Sequence, residues 1–238
     1  MTEAEWLACK DARDLVTSGA CPASPRKLRL LAVACCRCSR RLLQNPEYRR
    51  ALDLAEQYAD GLVGQEALIE AHRKANGLAC RLYPEAEAER EIRRAAEATA
   101  IANVVNPGDD PASDAIWQLS RACQRGIDAR MVALAHDILG NPFRRVERNA
   151  PWVAEVRAMI GDAVYRCQDA FNPAWLSSDV LALAQGIYDE RAFDRMPVLA
   201  DALQDAGCEN VGVLNHCRDA SATHVRGCWV VDLALDKG

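Results

Sequence analysis

Prolines in the first half of this chain mark where helices begin and where they must stop, and that punctuation constrains the fold more than any other feature. Ser24 and Pro25 form an N-cap and first-turn pair for a helix predicted to run to about Gln44, and Pro46 opens another that ends near Gly61. Helical patterns cover 65 to 82 and 85 to 105, on either side of Tyr83 and Pro84. The segment NPGDDP, 106 to 111, is a firm stop, because two prolines and a glycine cannot continue a helix. At the start of the chain, Thr2 and Glu5 have the spacing of a capping box. Helices resume at 111 to 125 and 128 to 139, where Met131, Leu134, Ala135, Ile138 and Leu139 recur at helical spacing before Gly140.

Composition agrees with this reading. Half of the residues are hydrophobic but only 5% are aromatic, so the core must come mainly from Ala, Leu, Val, Ile and Cys. That mixture suits closely packed helices better than a sheet. The expected fold is all-α, with an N-terminal multi-helix domain over 1–145 and a smaller C-terminal helical module over 146–238. The boundary is set in the loop GNPFRRVERNAP. Beyond it, NAPWVAEVRAMIGDAVYRCQDAF (149–171) and NPAWLSSDVLALAQGIYDERAF (172–193) align as a candidate duplication, through Asn149, Trp152, Tyr165 and Phe171 against Asn172, Trp175, Tyr188 and Phe193. A chance likeness of two amphipathic helices accounts for the alignment equally well. Three short helices are expected after Pro197, in PVLADALQDAG, NVGVLNHC and CWVVDLALDK.

Eleven cysteines, an odd number that includes the adjacent pair Cys35 and Cys36, do not read as a secreted disulfide framework, and a reducing cytoplasm is the expectation. The N-terminus MTEAEWLACK lacks the pattern of a signal peptide, and eighteen apolar residues nowhere run together, so no membrane span is expected. A net charge of −5 argues against general nucleic-acid binding. Residues 26–50 are the exception, with a local charge of +7 against −12 for the remainder.

Two features share the helix that starts at Arg26. Leu28, Leu31, Ala32, Cys35, Ser39 and Leu42 fall on one face, which points Cys35 at the core. Cys35 and Cys38 sit mid-helix and so lack the helix-start position that activates a redox Cys-x-x-Cys pair. Arg26, Arg29, Arg37, Arg40 and Arg41 occupy the opposite sector, interrupted by Leu30 and Val33. Such a stripe suits phosphate neutralisation in a nucleic-acid-binding role. It equally suits internal pairing, with the acidic helix containing Glu87, Glu89 and Glu91 as the expected partner.

The densest group of metal-ligating residue types is AGCENVGVLNHCRDASATHVRGCW, 206–228. His224 and Cys228 are four apart, and with Cys208 and Cys217 they make a candidate zinc set. The competing reading is buried packing, since no Cys-x-x-Cys turn is present and Gly227 interrupts the helix that would align His224 with Cys228. A Cys/His thiol nucleophile is a third reading, for which no orienting residue or oxyanion donor can be named. In DERAFDR, 189–195, alternating charges read as pins for a turn, and Ser177 reads as an N-cap with Asp179 in the first turn. His72 and His136 are single histidines on helices.

The segments MTEAEWLA, RKLRLLAVACCR, YADGL, ILGNPFR, IYDERAFDRMPVLADALQDAGC and HVRGCWVVDLAL together resemble a family of uncharacterised bacterial helical proteins of the planctomycete type, which share the HVRGCWVVDL and ADALQDAGC segments. That family has an Ala-, Trp- and Arg-rich middle where this chain is Glu-rich over 85 to 97. The resemblance implies a helical bacterial protein and brings no activity, cofactor or catalytic residue with it. With no coherent catalytic constellation, the expected role is a non-catalytic cytoplasmic interaction or scaffold protein with a protein partner. The alternatives are a nucleic-acid binder using the arginine stripe and a zinc-stabilised module.

Overall fold

The computed structural model describes residues 1–20, 23–82, 89–107, 111–122, 125–143 and 172–237. Among these residues there are twelve α-helices and no strand, so the fold is all-α. None of these helices is long and apolar enough to cross a membrane. The chain forms two compact units, Met1–Leu139 and Gly140–Gly238. The boundary expected at 145/146 and the first copy of the candidate duplication, 149–171, lie outside the described residues.

In the N-terminal unit the helices are α1 (Glu3–Ala8), α2 (Ala12–Thr17), α3 (Pro25–Arg37), α4 (Pro46–Ala59), α5 (Gln65–Cys80), α6 (Glu89–Val104), α7 (Pro111–Ala122) and α8 (Arg125–Leu139). Their starts follow the local chemistry of the sequence. Thr2 and Glu5 form the reciprocal capping box, Ser24 Oγ accepts from the Lys27 N–H, and Asn45 Oδ1 accepts from the Glu47 N–H ahead of Pro46. At the C-terminus of α8, Gly140 takes a left-handed φ of 70°, a conformation that glycine adopts without steric cost.

Helix α3 is the centre of this unit and packs against α4, α6, α7 and α8. Leu30, Leu31, Ala32, Val33, Cys35 and Cys36 are all buried, so the helix is enclosed around most of its circumference and not only along one face. It ends at Arg37, short of the expected Gln44. The reason is local. The N–H groups of Cys38 and Ser39 bond to the carbonyls of Cys35 and Cys36, a three-residue spacing that tightens and closes the last turn. A separate 3-10 turn at Leu42–Gln44 then leads into α4.

One buried titratable group gives this unit a pH dependence. The His136 ring lies 5.7 Å from the fully buried Trp6 ring, and burial lowers its pKa below the ordinary 6.5. A depressed histidine pKa means that the unfolded chain binds the proton more readily than the folded one. The stabilisation is therefore complete above 6.5 and is lost as pH falls through that value toward the folded one. Thermal unfolding of the native chain and a His136→Asn variant from neutral to mildly acidic pH should show a steeper loss in the native chain; identical slopes would contradict this.

The C-terminal unit comprises α9 (Ser178–Glu190), α10 (Met196–Asp205), α11 (Val211–Arg218) and α12 (Trp229–Ala234), with 3-10 turns at Pro173–Trp175 and Phe193–Arg195. Ser177 caps α9 by accepting from Val180 N–H, and Asn210 caps α11 by accepting from Val213 N–H. The segment CWVVDLALDK is helical over α12. Helix α10 packs on α9 and α11, and α12 packs on α9 and α11. Ile187, Tyr188, Met196, Leu199, Leu203, Val213 and Val230 form the core. Across the charged turn after α9, Arg195 pairs with Glu190 at 3.3 Å, as expected for a pinned turn, and within α9 Gln185 donates to Asp189.

Candidate metal centre

Three side chains of the C-terminal unit converge on one point, and each comes from a different local structure. His216 is in the last turn of α11, His224 is in the connection 219–227, and Cys228 is the N-cap residue of α12. Asp219 shapes the start of the connection by accepting from both the N–H and the hydroxyl of Ser221. At its end the Cys228 N–H bonds to the Val225 carbonyl at 2.9 Å, and Gly227 between them has a φ of 96°. Residues with a Cβ rarely take that conformation, so Gly227 is what lets the chain reverse there.

The ligand atoms of His216, His224 and Cys228 lie within 4.8 Å of one another. Cys228 Sγ is 3.2 Å from His216 Nε2 and 3.9 Å from His224 Nδ1, and the two imidazoles meet edge to face with centroids 4.8 Å apart. The His216 ring also rests against Trp229, at 5.1 Å. With Zn–S near 2.3 Å and Zn–N near 2.0–2.1 Å, tetrahedral coordination places sulfur and nitrogen ligands about 3.5 Å apart. The two observed separations fall on either side of that value. One thiolate with two imidazoles is a donor set that suits zinc and is too soft for magnesium or calcium.

Of the four residues in the sequence-derived zinc set, the structure brings His224 and Cys228 together and places the other two in the apolar core. Cys208 and Cys217 are both 1% exposed and pack with Leu203, Val213 and Val230. Burial pushes the Cys208 thiol up, while a bond from the Asn210 N–H pulls it down. A thiol that keeps its proton behaves as a small hydrophobe. His216 lies with His224 and Cys228 in the cluster of potential ligand atoms. Helical spacing carried that signal: Cys217 is four residues after Val213 and three after Leu214, so it shares their core-facing side. The neighbouring His216 is rotated by about 100° from it.

Burial also bears on the thiol-nucleophile reading. Cys228 is 0% exposed, whereas a nucleophile must meet its substrate. A buried sulfur within reach of two imidazole nitrogens fits a metal ligand better.

The arginine stripe is largely absorbed by the N-terminal unit. Arg26 donates from Nε and Nη2 to Asp60, whose carboxylate is 3% exposed. Arg29 is buried and donates to the carbonyls of Val104 and Asn106 at the end of α6, with its guanidinium 5.1 Å from the Tyr58 ring. Arg37 pairs with Asp53 and Glu56. Arg40 and Arg41 are exposed and lie beyond the end of α3. Arg41 still acts on Glu97, whose carboxyl is pushed up by burial and pulled down by a Ser39 hydrogen bond and the charges of Arg41 and Arg93. The partners of Arg26 and Arg37 thus come from α4 and its C-cap. His72 Nδ1 contacts the Ala102 carbonyl at 2.8 Å, a structural use for that lone histidine.

No protein family, curated protein or solved structure matches this chain.

Proposed function

We propose that this chain is a non-catalytic helical interaction or scaffold protein whose C-terminal unit is stabilised by one zinc ion. His216 Nε2, His224 Nδ1 and Cys228 Sγ would fill three of the four tetrahedral positions, leaving the fourth to a water or another donor. The observation that carries this reading is their mutual distance, 3.2 and 3.9 Å from the one sulfur to the two nitrogens. Burial of the sulfur supports a structural role over a thiol chemistry.

The ion would cross-link α11, the 219–227 connection and the start of α12. These are the short elements for which a cross-link matters most. Helix α12 has six residues and Cys228 makes no side-chain cap to it, and isolated helices of that length are unstable in water. Binding requires the thiolate and neutral imidazoles, so it displaces protons and weakens as the solution is acidified. Metal analysis of untagged protein tests the reading directly.

A further inference from the structure

Resting on the zinc reading above, we propose that Arg226 is a positioning residue that, docked on Tyr188, presets the His224–Cys228 segment for metal binding. Arg226 lies between the two ligands in HVRGC, so its placement fixes the span between them. Its guanidinium sits 4.4 Å from the centroid of the Tyr188 ring, within the range of a cation–π contact. Tyr188 is 2% exposed and belongs to α9, in the core of the same unit. The ring is therefore an anchored platform, and Arg226 is the tie from the connection to it.

The same ring also receives the other end of α12. Lys237 Nζ is 4.6 Å from the Tyr188 centroid, and the Lys237 N–H bonds back to the Asp232 carbonyl. Asp232 in turn donates its N–H to the Cys228 carbonyl at 2.9 Å. Tyr188 thus holds the residues just before and just after the short helix that carries Cys228. With Gly227 reversing the chain between Arg226 and Cys228, the guanidinium can face Tyr188 while the sulfur faces the imidazoles. A ligand set arranged before the metal arrives loses less conformational freedom on binding, and residues supporting ligands typically contribute a factor of about 10 to 100 in metal affinity.

The test is zinc affinity, measured by competition with a chromophoric chelator on the unsubstituted 238-residue chain and on Arg226→Ala, Arg226→Lys, Tyr188→Leu and Tyr188→Phe variants. Urea unfolding of each metal-free protein is measured in parallel. Arg226→Ala and Tyr188→Leu should each weaken zinc binding by about 10-fold or more, while Arg226→Lys and Tyr188→Phe, which keep the cation or the ring face, stay within about 3-fold of the native chain. Metal-free Arg226→Ala should lose less folding free energy than it loses in zinc-binding free energy, because the contact removed is a single tie to a core that stays packed. Native-like affinity in Arg226→Ala would overturn the proposal. So would a loss accompanied by an equal loss of metal-free stability, or a Tyr188→Phe variant as weak as Tyr188→Leu. If the native chain itself takes up no zinc, the metal reading fails and this inference falls with it. A native chain that binds zinc alongside an equally tight Arg226→Ala rejects this inference alone.

Discussion

Cys228→Ala should abolish zinc binding, with a loss of affinity of at least about 100-fold, because it removes the single thiolate of the set and leaves two imidazoles. His216→Ala should do nearly the same. The informative contrast is with the two core cysteines. Cys208→Ala and Cys217→Ala should retain full zinc stoichiometry and cost about 1 to 2 kcal/mol of stability, the usual effect of removing a small buried group. Metal content of the four purified variants, set beside their urea unfolding curves, separates ligand from packing residue. A chain that loses zinc with Cys217→Ala and keeps it with His216→Ala would contradict the geometry in which Cys217 packs beside Val213 and His216 faces Cys228.

Removal of the metal should have the second large effect, confined to the segment that it ties together. An ion that binds only the folded state stabilises it by about 4 kcal/mol when its free concentration is a thousandfold above Kd. Chelation removes that term. Amide hydrogen exchange should then speed up across residues 219–227 and α12, the connection and six-residue helix that the ion would tie to α11. Amides of α3 in the N-terminal unit, enclosed by four other helices, should be unaffected. Exchange that is unchanged at 219–234 after chelation would show that packing alone holds the segment, and would remove the structural role assigned to the ion.

Much of the local structure was legible from residue chemistry. Thr2 with Glu5, Ser24 ahead of Pro25, and Ser177 each satisfy unpaired N–H groups at a helix start, and those bonds need no information from distant residues. The C-terminal end of α3 was harder to read. No glycine or proline follows Arg37, and Leu42 continues the apolar phase, so periodicity runs straight through a turn closed by bonds to Cys35 and Cys36. Helical phase predicted the side of α3 that carries the arginines but not their partners. Asp60 and the carbonyls of Val104 and Asn106 are distant in sequence, and only the packing of α3 against α4 and α6 brings them close.

The candidate site divides in the same way. His224 and Cys228 are joined by a short turn, and their proximity could be argued from spacing. His216 is twelve residues from Cys228, and its approach depends on how the 219–227 connection folds back. Residue type favoured Cys217 as a ligand, while helical phase favoured the core for it. The structure follows the phase, because a cysteine on the face shared with Val213 and Leu214 gains more from burial among apolar neighbours than from turning outward.

A zinc site in the folded protein requires that His216, His224 and Cys228 hold the ion together. Elemental analysis reads this out, on the 238-residue chain expressed with zinc in the medium, purified without a His-tag and kept reduced. The expected result is about one equivalent of zinc per chain, retained through gel filtration. Less than about a tenth of an equivalent, in protein that is folded and reduced, would contradict it, because a structural site is essentially saturated in the folded state.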